Sequence, residues 1–291
     1  MDKRLFCGQR RLYFAEFSGE PVSPTKMWKH TRLCLPALWL FLACVCWAQS
    51  PDLAGIAHVA LRAEDLAKSS DFYKTLGFAQ AFSFTDAGKT SVIFIKINDR
   101  QFIELYPRTN PSQVGGLLHI CYETGDIASV HDAYVRQGLQ PTDVKQARAA
   151  NLLFVMHDPE GQLLEYTQYL PQSLHSLDRG KHLDSSRIAD HLAEATVPAR
   201  DLAAQQTFYK EKLSFAPTAF PMELLLPGAS GEKVQFISTK SPPRIVFAVP
   251  NLSATKRQLR TRGLKLRKEP KSLSITSPDG TILSFVADAA H

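Results

Sequence analysis

From Gly55 onward the apolar residues fall into short strand-like runs separated by one helical stretch, and that order then repeats. Residues 56–61 alternate as a strand; Leu66, Ser69, Phe72, Tyr73 and Leu76 follow at helical spacing, with Asp65 placed as an N-cap and Gly77 as a stop. Residues 81–84, 91–97 and 101–106 read as three further strands, which completes a β-α-β-β-β unit. After the turn-forming Asn110-Pro111-Ser112 and Gly115-Gly116, the order restarts. A strand at 117–122 leads to a helix from Asp126 carrying Ile127, Val130 and Tyr134 and stopping at Gly138, and strands near 142–145, 152–156 and 163–167 close the second unit.

The pattern recurs beyond a polar, charged segment at 171–187 that reads as an interdomain linker. Asp201-Leu202-Ala203 and Phe208-Tyr209-Lys210 repeat Asp65-Leu66-Ala67 and Phe72-Tyr73-Lys74 at an offset of 136. Gly263-Leu264 matches Gly138-Leu139 at 125, and Pro278 and Gly280 match Pro159 and Gly161 at 119. The chain therefore reads as α+β, with four βαβββ units in two tandem domains, 53–170 and 188–288. At helical spacing the Phe-Tyr pairs are expected to pack in the core.

Charge changes this picture little. Of the net +6, residues 1–50 contribute +4 through seven Lys/Arg against three Asp/Glu, which leaves +2 for the remainder. Within that opening, Lys29 and Arg32 precede an apolar run from Leu33 to Trp47, and the small residues Cys46 and Ala48 fit signal cleavage after Ala48, with Met27 as the start. The expectation is an exported protein that meets a membrane only through this leader; Phe41-Leu42-Ala43-Cys44 offers a loose lipobox as the lipid-anchored alternative. Cys7, Cys34, Cys44 and Cys46 lie in the leader, so only Cys121 would survive processing and no internal disulfide is available.

Four strands each carry one ionisable side chain where a hydrophobe is expected: His58, Glu104, His119 and Glu165. Alternation groups His58 with Ile56 and Ala60, Glu104 with Phe102 and Tyr106, His119 with Leu117 and Cys121, and Glu165 with Leu163 and Thr167. Any one of these alone reads as an ordinary core or edge residue. Burying them together without partners is costly, on the order of several kcal/mol for each carboxylate, and one divalent metal ion removes the cost. Imidazole with carboxylate suits Zn, Ni, Fe, Mn or Co. Four protein ligands on an octahedral ion leave two positions for neighbouring oxygens of a small-molecule substrate.

The paired units, the opening Ala57-His58-Val59-Ala60-Leu61 with Asp65-Leu66 and Phe72-Tyr73, and the closing Asp158-Pro159-Glu160-Gly161 before Glu165 resemble the vicinal oxygen chelate superfamily. That group includes glyoxalase I, fosfomycin-resistance transferases, extradiol dioxygenases and bleomycin-binding proteins. The resemblance implies two tandem half-barrel domains, with the metal held inside the first. Glu104 points to the glyoxalase-like ligand set, because the dioxygenases and fosfomycin enzymes use a His-His-Glu triad. The dioxygenases also carry a His and then a Tyr before the final Asp-Pro turn; Val155 stands where that Tyr would be, and His157 reads as a loop residue at the pocket rim. In a glyoxalase-like enzyme, Glu165 or Glu104 would be the base that moves a proton from the carbon beside a carbonyl. The thiol cofactor of glyoxalase I is cytosolic, so an exported protein is expected to share the metal geometry rather than the substrate. The family builds such sites within one domain or across a homodimer.

Applied to the second domain, the offsets place Glu194, Ser238, Arg244 and Ser284 at the ligand positions, a set that holds no metal. That domain reads as a degenerate copy that completes the fold or shapes the pocket; the alternative is a metal-free cleft with Arg244 meeting an anion. Lys256, Arg257, Arg260, Arg262, Lys265, Arg267, Lys268 and Lys271 form a basic stretch without interleaved aromatics, which reads as a solvated face and not a nucleic-acid site. The leading expectation is a metal-dependent lyase or isomerase. The rivals are a ring-cleaving dioxygenase and a non-catalytic protein that binds a small molecule such as an antibiotic.

Overall fold

The residues marked as helix starters do cap their helices. Asp65 accepts from Lys68 N at 3.0 Å, and Asp126 from Ser129 N at 3.1 Å. A computed structural model describes residues 51–288, so the leader, Met27 and the expected cleavage after Ala48 lie outside the described residues. The first half runs β1 (Gly55–Ala63), α1 (Leu66–Thr75), β2 (Ala79–Asp86), β3 (Lys89–Lys96), β4 (Phe102–Pro107), β5 (Gly116–Glu123), α2 (Ile127–Arg136), β6 (Lys145–Gln146), β7 (Leu152–His157) and β8 (Leu163–Gln168). The expected strand at 142–145 shrinks to β6. Pro141 brings no N–H to a ladder there, and Thr142 makes only a local pair of bonds with the Val155 backbone.

These strands form one sheet in the order β2-β3-β4-β1-β5-β8-β7-β6, parallel at β1/β4 and β5/β8 and antiparallel at the central β1/β5 seam. After the short α3 (Leu174–Leu177), the second half repeats the plan with β9 (His191–Ala199), α4 (Leu202–Lys212), β10 (Ala216–Pro217), β11 (Glu223–Leu225), β12 (Lys233–Ser238), β13 (Arg244–Val249), α5 (Leu252–Thr261), β14 (Arg267–Glu269), β15 (Ser272–Thr276) and β16 (Ile282–Ala287). Its order, β10-β11-β12-β9-β13-β16-β15-β14, matches that of the first sheet position for position. The fold is α+β with two tandem eight-stranded mixed sheets. None of the described helices is long and apolar enough to cross a membrane.

Period-two alternation sends Val59, Leu61, Ile103, Leu105, Ile120, Tyr122, Leu164 and Tyr166 to one face, where they join a single apolar cluster that runs through both halves. Tyr73 and Tyr209 are fully buried in it, as expected of the helical Phe-Tyr pairs. Tyr122 meets Phe215 at 5.7 Å, and Phe78 meets Phe247 at 5.6 Å, so the halves share a core. The segment at 171–187 is bound into this body. The fully buried Lys96 is 2.9 Å from Asp178, and His175 is buried against Phe82, Phe94 and Phe102.

Candidate metal centre

The four middle strands of the first sheet, β4, β1, β5 and β8, each supply one of the expected ligands. Their registers lay the residues out in two rows: Phe102, His58, Cys121 and Glu165 across one, and Glu104, Ala60, His119 and Leu163 across the next. Ala60 stands between Glu104 and His119, and its methyl group leaves the middle of the cluster open. All four ionisable groups thus meet within one sheet of one chain.

Two β-bulges aim them. On β1, Ala57 is an extra residue between the Ile56/Tyr122 and His58/Cys121 pairs; on β5, Leu118 is an extra residue between His119/Ala60 and Leu117/Leu61. Simple alternation places Ile56 with His58 and Leu117 with His119, but the bulges separate them. Ile56 and Leu117 pack in the apolar cluster, while His58 and His119 sit on the opposite face.

The side-chain atoms approach one another through both ring nitrogens of His58. His58 Nε2 lies 3.1 Å from His119 Nε2 and 3.8 Å from Glu165 Oε1, and His119 Nε2 lies 3.6 Å from Glu165 Oε2. His58 Nδ1 is 3.3 Å from Glu104 Oε1, yet it is buried without a properly aligned hydrogen bond. Two sets, His58/Glu104/His119 and His58/Cys121/Glu165, have ligand atoms within 4.8 Å of one another and could hold a metal ion.

Electrostatics describe the same need for positive charge. Burial, then the neighbouring Glu165, raises Glu104 to about 8, and burial raises Glu165 to about 7. Burial lowers His119 to about 4 and also holds His58 well below its usual range, with His119 adding repulsion. Left to itself the cluster favours neutral groups. A divalent cation would reverse that preference for both carboxyls and displace their protons.

Two neighbours of the cluster have roles that strand periodicity alone does not reveal. The Tyr106 hydroxyl donates to Glu104 Oε2 at 2.7 Å, and the Cys121 thiol donates to Glu165 Oε1 at 3.5 Å. Alternation places both on the ligand face, but their hydrogen bonds to the carboxyls come from the packing of neighbouring strands. A cavity of about 400 Å³ opens over the cluster, with Val92, Phe94, Tyr106 and Leu153 as apolar wall and Arg148 at the rim. Arg148 stacks over Phe84 at 4.4 Å and pairs with Asp86 at 2.8 Å. His157 is exposed at the end of β7 and does not line this cavity.

In the second sheet, Glu194, Arg244 and Ser284 stand in register where His58, His119 and Glu165 stand in the first. The equivalent of Glu104 is Gln235, opposite Thr196, and not Ser238. The chain offset of the first strand does not carry through the shorter loops before β12, so register decides the match. The Ala57 bulge recurs at Ala193, between the Glu194/Val246 and Leu192/Phe247 pairs.

Residues 55–166 match the model of the Glyoxalase/Bleomycin resistance protein/Dioxygenase superfamily. No curated protein sequence matches the chain. Among solved structures, the 2,3-dioxygenase LapB from Pseudomonas sp. KL28 aligns with TM-score 0.64 at 13% identity, covering 83% of this chain and 94% of its own. The Mn(II)-bound glyoxalase from Novosphingobium aromaticivorans aligns with TM-score 0.63 at 13% identity, over 82% of this chain and 83% of its own. An extradiol ring-cleaving dioxygenase from B. fuscum gives 0.61 at 14% identity, over 84% and 74%. At such identities the likeness is one of fold, and it spans both sheets. Residues 55–166 thus match the superfamily's model, and the two tandem sheets share the fold of these structures.

Proposed function

We propose that the first domain holds one divalent metal ion through His58, Glu104, His119 and Glu165, and that the protein is a glyoxalase-like lyase or isomerase acting on a small oxygenated substrate. The observation that carries this reading is the convergence of two imidazoles and two carboxyls from four adjacent strands, with nitrogen and oxygen atoms 3.1 to 3.8 Å apart. The donor set suits Zn, Ni, Fe, Mn or Co. The buried, unpaired His58 Nδ1 and the mutually repelling carboxyls both favour a cation between them.

When bound, the ion would supply Lewis-acid polarisation of a carbonyl-type oxygen. The chain's own groups do the rest. Glu165, which lines the cavity as well as the cluster, would accept a proton from the carbon beside that carbonyl and return it to the adjacent atom. Glu104 is oriented by the Tyr106 hydroxyl and positions the opposite side of the cluster. Val92, Phe94 and Leu153 keep water away from the reacting carbon.

A glyoxalase-type proton transfer is tested by incubating the metal-loaded protein in D₂O with small α-hydroxycarbonyl compounds. The expected result is deuterium uptake at the carbon beside the carbonyl, lost in Glu165→Gln. Oxygen consumption with ring diols, in the absence of such exchange, would contradict the reading and assign the site to ring cleavage.

A further inference from the structure

The second domain has no metal-ligand set among its described residues, yet it lines an open cavity of about 580 Å³, larger than the one of about 400 Å³ over the candidate metal centre. Its inward positions have not turned apolar. Glu194, Gln235, Arg244 and Ser284 line the cavity from the four middle strands of the second sheet. Glu194, Gln235 and Arg244 are partly buried there, where polar side chains lose part of their hydration unless something uses their hydrogen-bonding capacity.

The charges are sorted across the cup. On one side the Arg244 guanidinium is fixed from Nη1 by Ser284 Oγ at 2.6 Å and Glu269 Oε2 at 3.2 Å, and from Nη2 by Glu269 Oε1 at 3.4 Å. Five N–H donors on a guanidinium exceed what these two partners accept. Arg267 lines the same side with no side-chain hydrogen bond among the described residues. On the other side Glu194 neighbours Glu223, which pairs with Lys233 at 3.2 Å. Burial, then Glu223, raises Glu194 to about 7, so near neutral pH it is ready to meet either a hydroxyl or an ammonium. A polyanion would be repelled by the acidic side, and a metal ion by the guanidinium.

We propose that this second cup is a separate, metal-independent binding site for a small organic acid with a hydrogen-bond donor close to its carboxylate. The carboxylate is received by Arg244 and Arg267, and the donor by Glu194 and Gln235. The donor is a hydroxyl or an ammonium, the feature shared by hydroxy acids and amino acids.

Calorimetric titration of the full-length protein with lactate, alanine and propionate tests this, because the three differ only in carrying a hydroxyl, an ammonium or neither. One equivalent of lactate or alanine is expected to bind, with the better of the two identifying the donor and with propionate at least tenfold weaker. Arg244→Met should weaken that binding at least tenfold. Gln235→Leu, which removes a side chain without structural partners, should weaken it several-fold at an unchanged melting temperature. Binding should persist in Glu165→Ala, which separates this site from the metal centre. Absence of binding at millimolar concentrations, equal binding of propionate, wild-type affinity in the Gln235→Leu variant, or loss of binding in Glu165→Ala would each overturn the proposal.

Discussion

If the proposed site holds metal, Glu104 and Glu165 are the residues on which protons and metal would compete. Both are acids whose folded pKa, about 8 and about 7, lies above the ordinary value of 4.5. Between those limits the folded chain binds more protons than the unfolded one, so the stability that these protons contribute is present below about pH 4.5 and is lost as pH rises towards 8. The metal-free protein is therefore expected to melt at lower temperature at pH 8 than at pH 6, and divalent metal should narrow or reverse that difference; thermal scans at both pH values check it. Tyr106→Phe removes a donor that lowers the Glu104 pKa. Protons then compete better, and metal affinity at pH 7 is expected to fall several-fold in a direct titration. The four candidate ligands were legible in the sequence because each replaces a hydrophobe in a strand-like run. The Gln235 equivalence was not, because a loop of different length shifts the count without disturbing the hydrophobic pattern.

At the level of elements, helix caps and strand order followed from local chemistry, whereas the faces of β1 and β5 did not. One extra residue in a strand leaves the apolar pattern nearly intact but turns everything beyond it to the other side. Ala57 and Leu118 do this on either side of the two histidines, and the recurrence at Ala193 ties the β1 bulge to the architecture as well as to the ligands. Deleting Ala57 should force Ile56 out of the apolar cluster or rotate His58 away from the sheet's ligand face. Expected outcomes are loss of metal uptake and a lower melting temperature; unchanged metal content in the deletion variant would show that the bulge does not aim His58. The segment at 171–187 was read as a linker from its polarity, and its buried contacts were hidden because His175 and Asp178 bury polar groups through Lys96 and an aromatic box formed only in three dimensions.

In the whole molecule, the two sheets share one apolar cluster, so the halves are expected to unfold in a single transition. Phe78→Ala, which empties the contact with Phe247 at 5.6 Å, should cost about 3–5 kcal/mol and lower the midpoint of denaturant unfolding without splitting it in two. The tandem repeat made this architecture legible from the sequence; the shared core was not legible, since apolar residues on outer strand faces do not announce which half they meet. The same fold keeps two cups whose inward residues differ at every matched position, His58 against Glu194, Glu104 against Gln235, His119 against Arg244 and Glu165 against Ser284. The central claim is that only the first of them holds metal. Elemental analysis of the purified full-length protein after equilibration with divalent metal tests it most directly, with wild type and Glu165→Ala measured side by side. One metal ion per chain in wild type and a large loss in the variant is the predicted result; no stoichiometric metal in wild type, or equal content in the two, would contradict the account.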